Sequence, residues 1–180
     1  MKNLAALILE TGRLYLTGFM GAGKSVTGRE LAARAGWSFC DLDDEIESRA
    51  GRTVSEIFED GEETFRMLER KALERTSEYS RSVIALGGGA IVWRDNREYL
   101  TDKGVVVYLD VAAEVLFERL GYSSSERPLL SGFQGTDLLN HIETVLEKRR
   151  PFYERADLII DCLPAKTAGD IAEEIYGHFQ

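Results

Sequence analysis

Gly18-Phe19-Met20-Gly21-Ala22-Gly23-Lys24-Ser25 reads G-x-x-x-x-G-K-S, the pattern of a phosphate-binding loop. The residues before it are apolar and typical of a β-strand (Leu14–Thr17), and apolar residues recur at helical spacing after it (Lys24–Ala35). A strand, a glycine turn and a helix are the context that this pattern requires. The alternative is a chance glycine turn before a helix, and the flanking elements favour nucleotide binding over it.

The residue types in this loop predict how it holds a nucleotide. Glycines let the backbone approach a ligand closely, and the N-terminus of the following helix attracts phosphate. Lys24 can reach the β- and γ-phosphates of ATP, and the Ser25 hydroxyl can be a ligand of Mg²⁺. We therefore expect ATP as co-substrate, Mg²⁺ as cofactor, and nucleotide contacts from Gly18, Gly21, Ala22, Gly23, Lys24, Ser25 and Val26.

Composition narrows the class of protein. A chain of 180 residues, 44% hydrophobic and 29% charged, predicts a single globular domain over residues 1–180. The net charge of −9 argues against nucleic acid or an anionic membrane as the partner. The apolar stretch Leu4–Leu9 is far shorter than the about 20 residues of a membrane helix and makes a poor signal peptide. We read Cys40 and Cys162 as unpaired thiols, and we expect a cytoplasmic monomer.

Short apolar strand candidates alternate with helical patterns along the chain, which predicts a parallel sheet covered on both faces. The expected fold is a three-layer α/β/α arrangement of the P-loop NTPase class with a five-stranded sheet. A stretch rich in Gly and Ser, about residues 121–135, is long enough to be a mobile lid. The predicted strands are Leu14–Thr17, Ser38–Leu42, Ser82–Leu86, Val105–Asp110 and Leu158–Asp161. The predicted helices are Lys24–Ala35, Asp44–Ala50, Val54–Glu59, Glu62–Tyr79, Arg97–Lys103, Ala113–Leu120, Leu138–Arg155 and Ala168–Phe179.

Acidic residues follow the second predicted strand, at the edge where ligands bind in open α/β sheets. Alternation along an extended chain predicts that Asp41 and Asp43 lie on the same side. One of them could help to hold Mg²⁺ through water, and the other could accept a substrate hydroxyl and its proton. The alternative for this acidic cluster is helix capping by Asp43 or Asp44, which explains Asp44 and does not require Asp41.

Two further features allow both a functional and a structural interpretation. Gly87-Gly88-Gly89, which follows the third predicted strand, suits either a close backbone approach to a ligand or a loose turn. Arg66 lies beside the apolar face of a predicted helix. The helical spacing favours a solvated arginine that pairs with Glu62 or Glu69.

Cations recur in the second half of the chain. Arg127 lies in the predicted lid, where it could meet a transferring phosphate on closure, and the alternative is a loop arginine that favours solubility. Arg149 and Arg150 precede Pro151, which we expect to disrupt the helix. Cations near a helix C-terminus are common, but the arginine fork also suits a planar carboxylate. Spacing alone does not choose between the two arginines.

Taken together, these stretches resemble the shikimate kinase family, whose phosphoryl transfer from ATP to the 3-hydroxyl of shikimate gives shikimate 3-phosphate on the route to chorismate and aromatic amino acids. The match extends over nearly the whole chain from Arg13. The matching residues are Gly18–Ser25, Asp41-Leu42-Asp43, Gly51-Arg52 with Ile57-Phe58, Gly61-Glu62 with Phe65-Arg66, Gly87-Gly88-Gly89-Ala90, Arg127-Pro128-Leu129-Leu130, and Arg149 with Pro151 and Tyr153.

The resemblance also implies residue roles that the local patterns leave open. It implies that Arg66 and Arg149 bind the shikimate carboxylate and that Asp43 contacts the ring hydroxyls as the candidate base. The backbone of Gly87, Gly88 and Gly89 would approach shikimate, Lys24 and Arg127 would stabilise the transferring phosphoryl group, Ser25 and a water on Asp41 would hold Mg²⁺, and Arg119 would stack on adenine.

Two alternatives share the phosphate-binding loop. The first is a related kinase with another small acceptor, such as gluconate, and the second is a non-catalytic nucleotide-binding switch. Neither gives a reason for the later arginines and the three glycines.

Overall fold

Five parallel strands form one sheet in the order β2-β3-β1-β4-β5 in the computed structural model, which describes residues 4–121, 130 and 132–179. Leu14 of β1 lies opposite Val83 of β3 on one side and Val105 of β4 on the other. The residues of β3 are all buried, as are the first five of β4, because helices cover both faces of the sheet. The predicted three-layer architecture is confirmed. The strands are β1 (Arg13–Thr17), β2 (Ser38–Asp41), β3 (Ser82–Ala85), β4 (Val105–Asp110) and β5 (Leu158–Asp161).

The helices connect the strands and pack on the sheet, with α2 against α9 and α7 against α8. Residues 76–78 and 90–92 form short 3₁₀ helices. In the described ranges, the α-helices are α1 (Leu4–Thr11), α2 (Lys24–Ala35), α3 (Leu42–Ala50), α4 (Val54–Glu59), α5 (Glu62–Arg75), α6 (Asn96–Leu100), α7 (Ala113–Gly121), α8 (Gly135–Tyr153) and α9 (Ala168–Gly177).

The acidic segment after β2 differs from the sequence-based prediction. The strand ends at Asp41, whose side chain caps α3 by accepting a hydrogen bond from the Asp43 backbone N–H at 3.2 Å. The assignment of the cap to Asp44 is therefore wrong. The expected alternation of Asp41 and Asp43 is also wrong, because Asp43 lies in the first turn of α3 rather than in an extended strand.

The predicted break at Pro151 is also wrong, because α8 continues through this residue to Tyr153. Proline lacks a backbone N–H, so Pro151 removes one hydrogen bond of the helix. Because α8 ends only two residues later, little of the helix is affected. The buried side chain of Tyr153 holds the last turn against the core. Tyr153 therefore faces the same side of α8 as Arg149, one helical turn earlier.

The N-terminal apolar stretch forms α1, which packs beside β4 and buries Ile8. Gly12 then takes a left-handed conformation, with φ of +61°, and turns the chain into β1. No helix in the described ranges is long and apolar enough to span a bilayer. Most of the predicted lid, residues 122–129 and 131, lies outside the described residues, and so does Arg127.

Candidate active site

The phosphate-binding loop connects β1 to α2 at the carboxyl edge of the sheet. Gly18, Gly21 and Gly23 have φ values of +143°, +81° and +94°, which side chains disfavour. A Cβ atom on Gly18 would lie 2.8 Å from the Leu109 carbonyl oxygen, so the loop also packs tightly on β4. The Lys24 ammonium donates to the carbonyl oxygens of Gly18 at 2.9 Å and Phe19 at 3.0 Å. Its charge therefore lies over the loop.

A cavity of about 350 Å³ opens beside this loop. It combines residues from the loop, from the start of α3 and from the segment after β3, three parts of the sequence that were predicted separately. The lining residues are Met20, Gly21, Gly23, Lys24, Ser25, Val26, Asp41, Asp43, Asp44, Leu86, Gly87 and Gly88. A groove of about 550 Å³ runs along the outer edge of β2 past Phe39 and Tyr79, but it contains neither the loop nor the glycine triplet.

Ser25 and Asp41 supply neighbouring oxygen atoms in this cavity. The Ser25 hydroxyl donates to Asp41 Oδ2 at 2.5 Å, while Asp41 Oδ1 caps α3. Mg²⁺ prefers oxygen ligands, retains several waters, and commonly takes only one or two carboxylates from the protein. A hydroxyl beside one carboxylate next to a phosphate-binding loop fits that ion.

Asp43 presents a carboxyl oxygen that has no hydrogen-bond partner among the described residues. Its Oδ1 atom is buried and accepts no hydrogen bond from the described residues. Burial, and then the negative charge of Asp41, raise the pKa of Asp43 to about 6, against the opposing effects of Lys24 and Arg66. An aspartate with a raised pKa and an unpartnered oxygen is suited to accept a proton near neutral pH.

Arg66 is buried, although the sequence favoured a solvated side chain. Its guanidinium donates to Glu69 Oε2 at 2.7 Å and to Glu62 Oε1 at 3.0 Å, so the predicted pairing is confirmed with both glutamates. Arg66 is only 5% exposed, so the prediction of a solvated side chain is wrong. The pair with Glu69 holds the guanidinium at the carboxyl edge of the sheet, beside the glycines that follow β3.

Glu69 is a site residue that the sequence analysis missed. It is fully buried, and burial raises its pKa to about 7. Its Oε1 atom accepts no hydrogen bond among the described residues. A signal was present in the sequence, because Glu69 lies between Phe65 and Ala72 on the face of the helix that carries its apolar residues.

The glycine triplet is enclosed by these side chains. A Cβ atom on Gly87 would lie 2.3 Å from Glu69 Oε1, and one on Gly89 would lie 2.3 Å from Arg66 Nη2. A Cβ atom on Gly88 would lie 3.1 Å from the Met20 backbone nitrogen. The loose-turn interpretation is therefore wrong, because a Cβ atom at any of the three positions would require a neighbouring atom to shift.

Arg149, rather than Arg150, reaches the triplet. Arg149 Nη1 donates to the Gly88 carbonyl oxygen at 3.2 Å, and its guanidinium lies over the Phe19 ring at 5.7 Å from the centroid. Arg150 instead pairs with Asp110 at 3.3 Å. Adjacent residues on a helix point about 100° apart, which separates the two arginines.

Arg119 lies on the other side of the phosphate-binding loop. It comes from the last turn of α7 and donates to the Gly21 carbonyl oxygen at 3.2 Å. This position is beside the loop and away from the triplet. Its stacking on adenine stays a prediction, as does the role of Arg127.

Comparison with known proteins identifies the family of this chain. A family model described as shikimate kinase matches residues 20–179. A shikimate kinase of Parabacteroides distasonis is 44% identical over 160 residues, which cover 88% of this chain and 92% of the relative. A shikimate kinase of Moorella thermoacetica is 42% identical over 165 residues, which cover 91% of this chain and 92% of the relative.

Solved structures give the same result. The shikimate kinase of Bacteroides thetaiotaomicron superposes with a TM-score of 0.86 at 38% identity, covering 92% of this chain and 96% of that one. The Acinetobacter baumannii enzyme in complex with shikimate gives 0.85 at 37% identity, covering 96% and 94%. A gluconokinase of Sinorhizobium meliloti, at 0.60 and 20% identity with 94% and 91% covered, shares the fold alone. Since the family model spans most of the chain and relatives above 40% identity cover it almost entirely, this chain belongs to the shikimate kinase family.

Proposed function

We propose that the protein transfers the γ-phosphoryl group of ATP to the 3-hydroxyl of shikimate, giving ADP and shikimate 3-phosphate. The observation that carries this proposal is the meeting of two arginines at one glycine triplet beside the phosphate-binding loop. Arg66 lies against Gly89, and Arg149 donates to the Gly88 carbonyl. A second binding site for a small carboxylate, next to a nucleotide site, is what a kinase for an acidic acceptor requires.

The nucleotide half of the mechanism uses the loop and α2. Gly18–Ser25 holds the phosphates of ATP through backbone N–H groups, and the Lys24 ammonium moves from its carbonyl partners to the transferring phosphate. Ser25 and, through water, Asp41 would hold Mg²⁺. When bound, this ion neutralises charge on the phosphates.

The acceptor half uses the two arginines and Asp43. The forked guanidinium groups of Arg66 and Arg149 bind the carboxylate of shikimate, and the Gly87–Gly89 backbone lies along the ring. This fixes the 3-hydroxyl near Asp43 and the γ-phosphate. As the new oxygen–phosphorus bond forms and the bond to ADP breaks, Asp43 accepts the hydroxyl proton. Because this reaction depends mainly on positioning and charge, these residues need form no covalent bond to either substrate.

The proposal extends to the cellular setting. The net charge of −9 disfavours nucleic acid and anionic membranes as partners, and Cys40 and Cys162 are free thiols. The free thiols support a cytoplasmic enzyme, and we propose that it acts as a monomer.

Release of ADP tests the function directly. ATP and Mg²⁺ are incubated with the protein and either shikimate, gluconate or no acceptor, and ADP is measured by a coupled assay. Release that depends on shikimate supports the proposal. Release that depends on gluconate would favour the alternative acceptor. A nucleotide switch would give no acceptor dependence and no heat of shikimate binding in isothermal titration calorimetry.

Arg66→Lys is expected to raise KM for shikimate by about 10-fold or more and to leave KM for ATP unchanged. Lysine keeps the charge but loses the fork that binds a carboxylate through two parallel hydrogen bonds. Steady-state kinetics with each substrate varied in turn measure this. Arg70→Lys, one turn along α5 and paired with Glu74, is the matched control. An unchanged KM for shikimate in the Arg66 variant would contradict the assignment.

The value of kcat/KM for shikimate is expected to fall as the pH drops through about 6, because Asp43 becomes protonated there. An ordinary aspartate would keep activity to about pH 4. Asp41→Asn removes the neighbouring negative charge while retaining a good helix cap, so the acid limb should move to lower pH. Asp44→Asn is the control, and its acid limb should not move. An acid limb near pH 4 in the wild type would show that Asp43 is not the base.

A further inference from the structure

Two side chains of α8 donate to the same carbonyl group in the glycine triplet. Arg149 Nη1 lies 3.2 Å from the Gly88 oxygen, and the Tyr153 hydroxyl lies 2.5 Å from it. These residues are four apart and share one face of the helix. The mechanism described above uses Arg149 but gives no role to Tyr153, which is fully buried.

The core fixes the position of the Tyr153 hydroxyl. The Tyr153 ring stacks on Tyr108, with centroids 5.0 Å apart and planes at 22°. Tyr108 is itself held by a 2.8 Å hydrogen bond from its hydroxyl to Asp110. Burial raises the pKa of Tyr153, so its hydroxyl keeps the proton that it donates to Gly88.

The Gly88 peptide lies between the phosphate-binding loop and the proposed acceptor site, so its orientation affects both. Its Cα atom lies close to the phosphate-binding loop, since a Cβ there would be 3.1 Å from the Met20 nitrogen and 3.5 Å from the Gly18 carbonyl oxygen. A small rotation of this peptide would shift the triplet against both the loop and the acceptor site.

The two donors have different tasks once a substrate binds. If Arg149 turns its guanidinium toward a carboxylate, it gives up part of its hydrogen bond to Gly88. Tyr153 keeps that carbonyl satisfied. Without the Tyr153 hydroxyl, Arg149 would be its one donor among the described side chains, and the carbonyl and the substrate would compete for the same guanidinium.

We propose that Tyr153 is a positioning residue for the acceptor: its hydroxyl fixes the Gly88 peptide and thereby leaves the Arg149 guanidinium available to the substrate carboxylate. This proposal rests on the proposed function, because it concerns how the same site holds shikimate.

Tyr153→Phe tests it, because phenylalanine keeps the stacked ring and removes only the hydroxyl. We expect KM for shikimate to rise about 3- to 10-fold, the loss of one hydrogen bond, while KM for ATP stays within about twofold. Tyr15→Phe removes another buried, hydrogen-bonded hydroxyl, which contacts Thr76 rather than the glycine triplet, and is the matched control, with KM for shikimate unchanged. An equal KM in wild type and Tyr153→Phe would overturn the proposal. Absence of shikimate-dependent turnover in the wild type would instead overturn the proposed function.

A double-mutant cycle separates positioning from a general loss of stability. Tyr153→Phe is combined with Arg149→Lys, and KM for shikimate is measured for all four proteins. If Tyr153 acts through Arg149, its removal should change KM less in the Arg149→Lys background than in the wild type. Independent effects of the two substitutions, which multiply, would overturn the proposal, as would a lower melting temperature with no change in KM.

Discussion

Lys24→Met is expected to lower kcat by at least about 10²–10³-fold, the cost of removing one charge partner from a preorganised site. The Lys24 ammonium donates to the carbonyl oxygens of Gly18 and Phe19, in the loop that we propose holds the phosphates. Methionine has a similar length and no charge, so the loop keeps its packing but loses its cation for the transferring phosphoryl group.

Coupled ADP release at saturating ATP and shikimate measures this loss. Lys71→Met, at an exposed position of α5, is the control for replacing a lysine by methionine. Unfolding curves for both variants should resemble the wild type. Near-normal turnover by Lys24→Met would mean that the charge over the loop takes no part in phosphoryl transfer.

Asp43→Asn is expected to lower kcat by at least about 10²–10³-fold and, at neutral pH, to raise the melting temperature. The amide has the shape of the carboxylate but cannot accept the hydroxyl proton. The expected gain in stability follows from the raised pKa of Asp43, which is about 6. Between the ordinary aspartate pKa and this value, the folded state binds more protons than the unfolded state, so stability falls as the pH rises.

The charged carboxylate of Asp43 therefore destabilises the folded protein above about pH 6, and asparagine removes that cost. The gain in melting temperature should be present at pH 7.5 and should disappear below about pH 4, where aspartate is protonated in both states. Asp44→Asn, beside it and exposed, is the control for activity. A variant that keeps normal turnover, or that melts at a lower temperature than the wild type at pH 7.5, would contradict this account.

The fold was predictable because its signals are local. The loop pattern lies between a short apolar strand and a helix, and the apolar runs at Val83 and Val105 identify two more buried strands. The strand and helix candidates alternate, which is enough to predict a parallel sheet with helices on both faces. Helix ends were less accurate, and α5 stops at Arg75 because a 3₁₀ turn takes over the next three residues.

The site was less predictable, because its key contacts depend on burial and on direction. The spacing of Arg66 and Glu69 predicts an ion pair on any helix, but only the tertiary structure buries that pair under the glycine triplet. The choice between Arg149 and Arg150 depends on which face of α8 meets the triplet. Local sequence does not contain that information.

The buried pair of Arg66 with Glu69 has a consequence for affinity. An arginine that is free in solution loses up to about 2 kcal/mol of rotamer entropy when a ligand orders it. In this protein, Glu62 and Glu69 already immobilise the Arg66 guanidinium before any ligand arrives. The entropy loss therefore falls on folding rather than on association, so a carboxylate bound at Arg66 would meet a preorganised arginine whose positive charge Glu62 and Glu69 already partly offset.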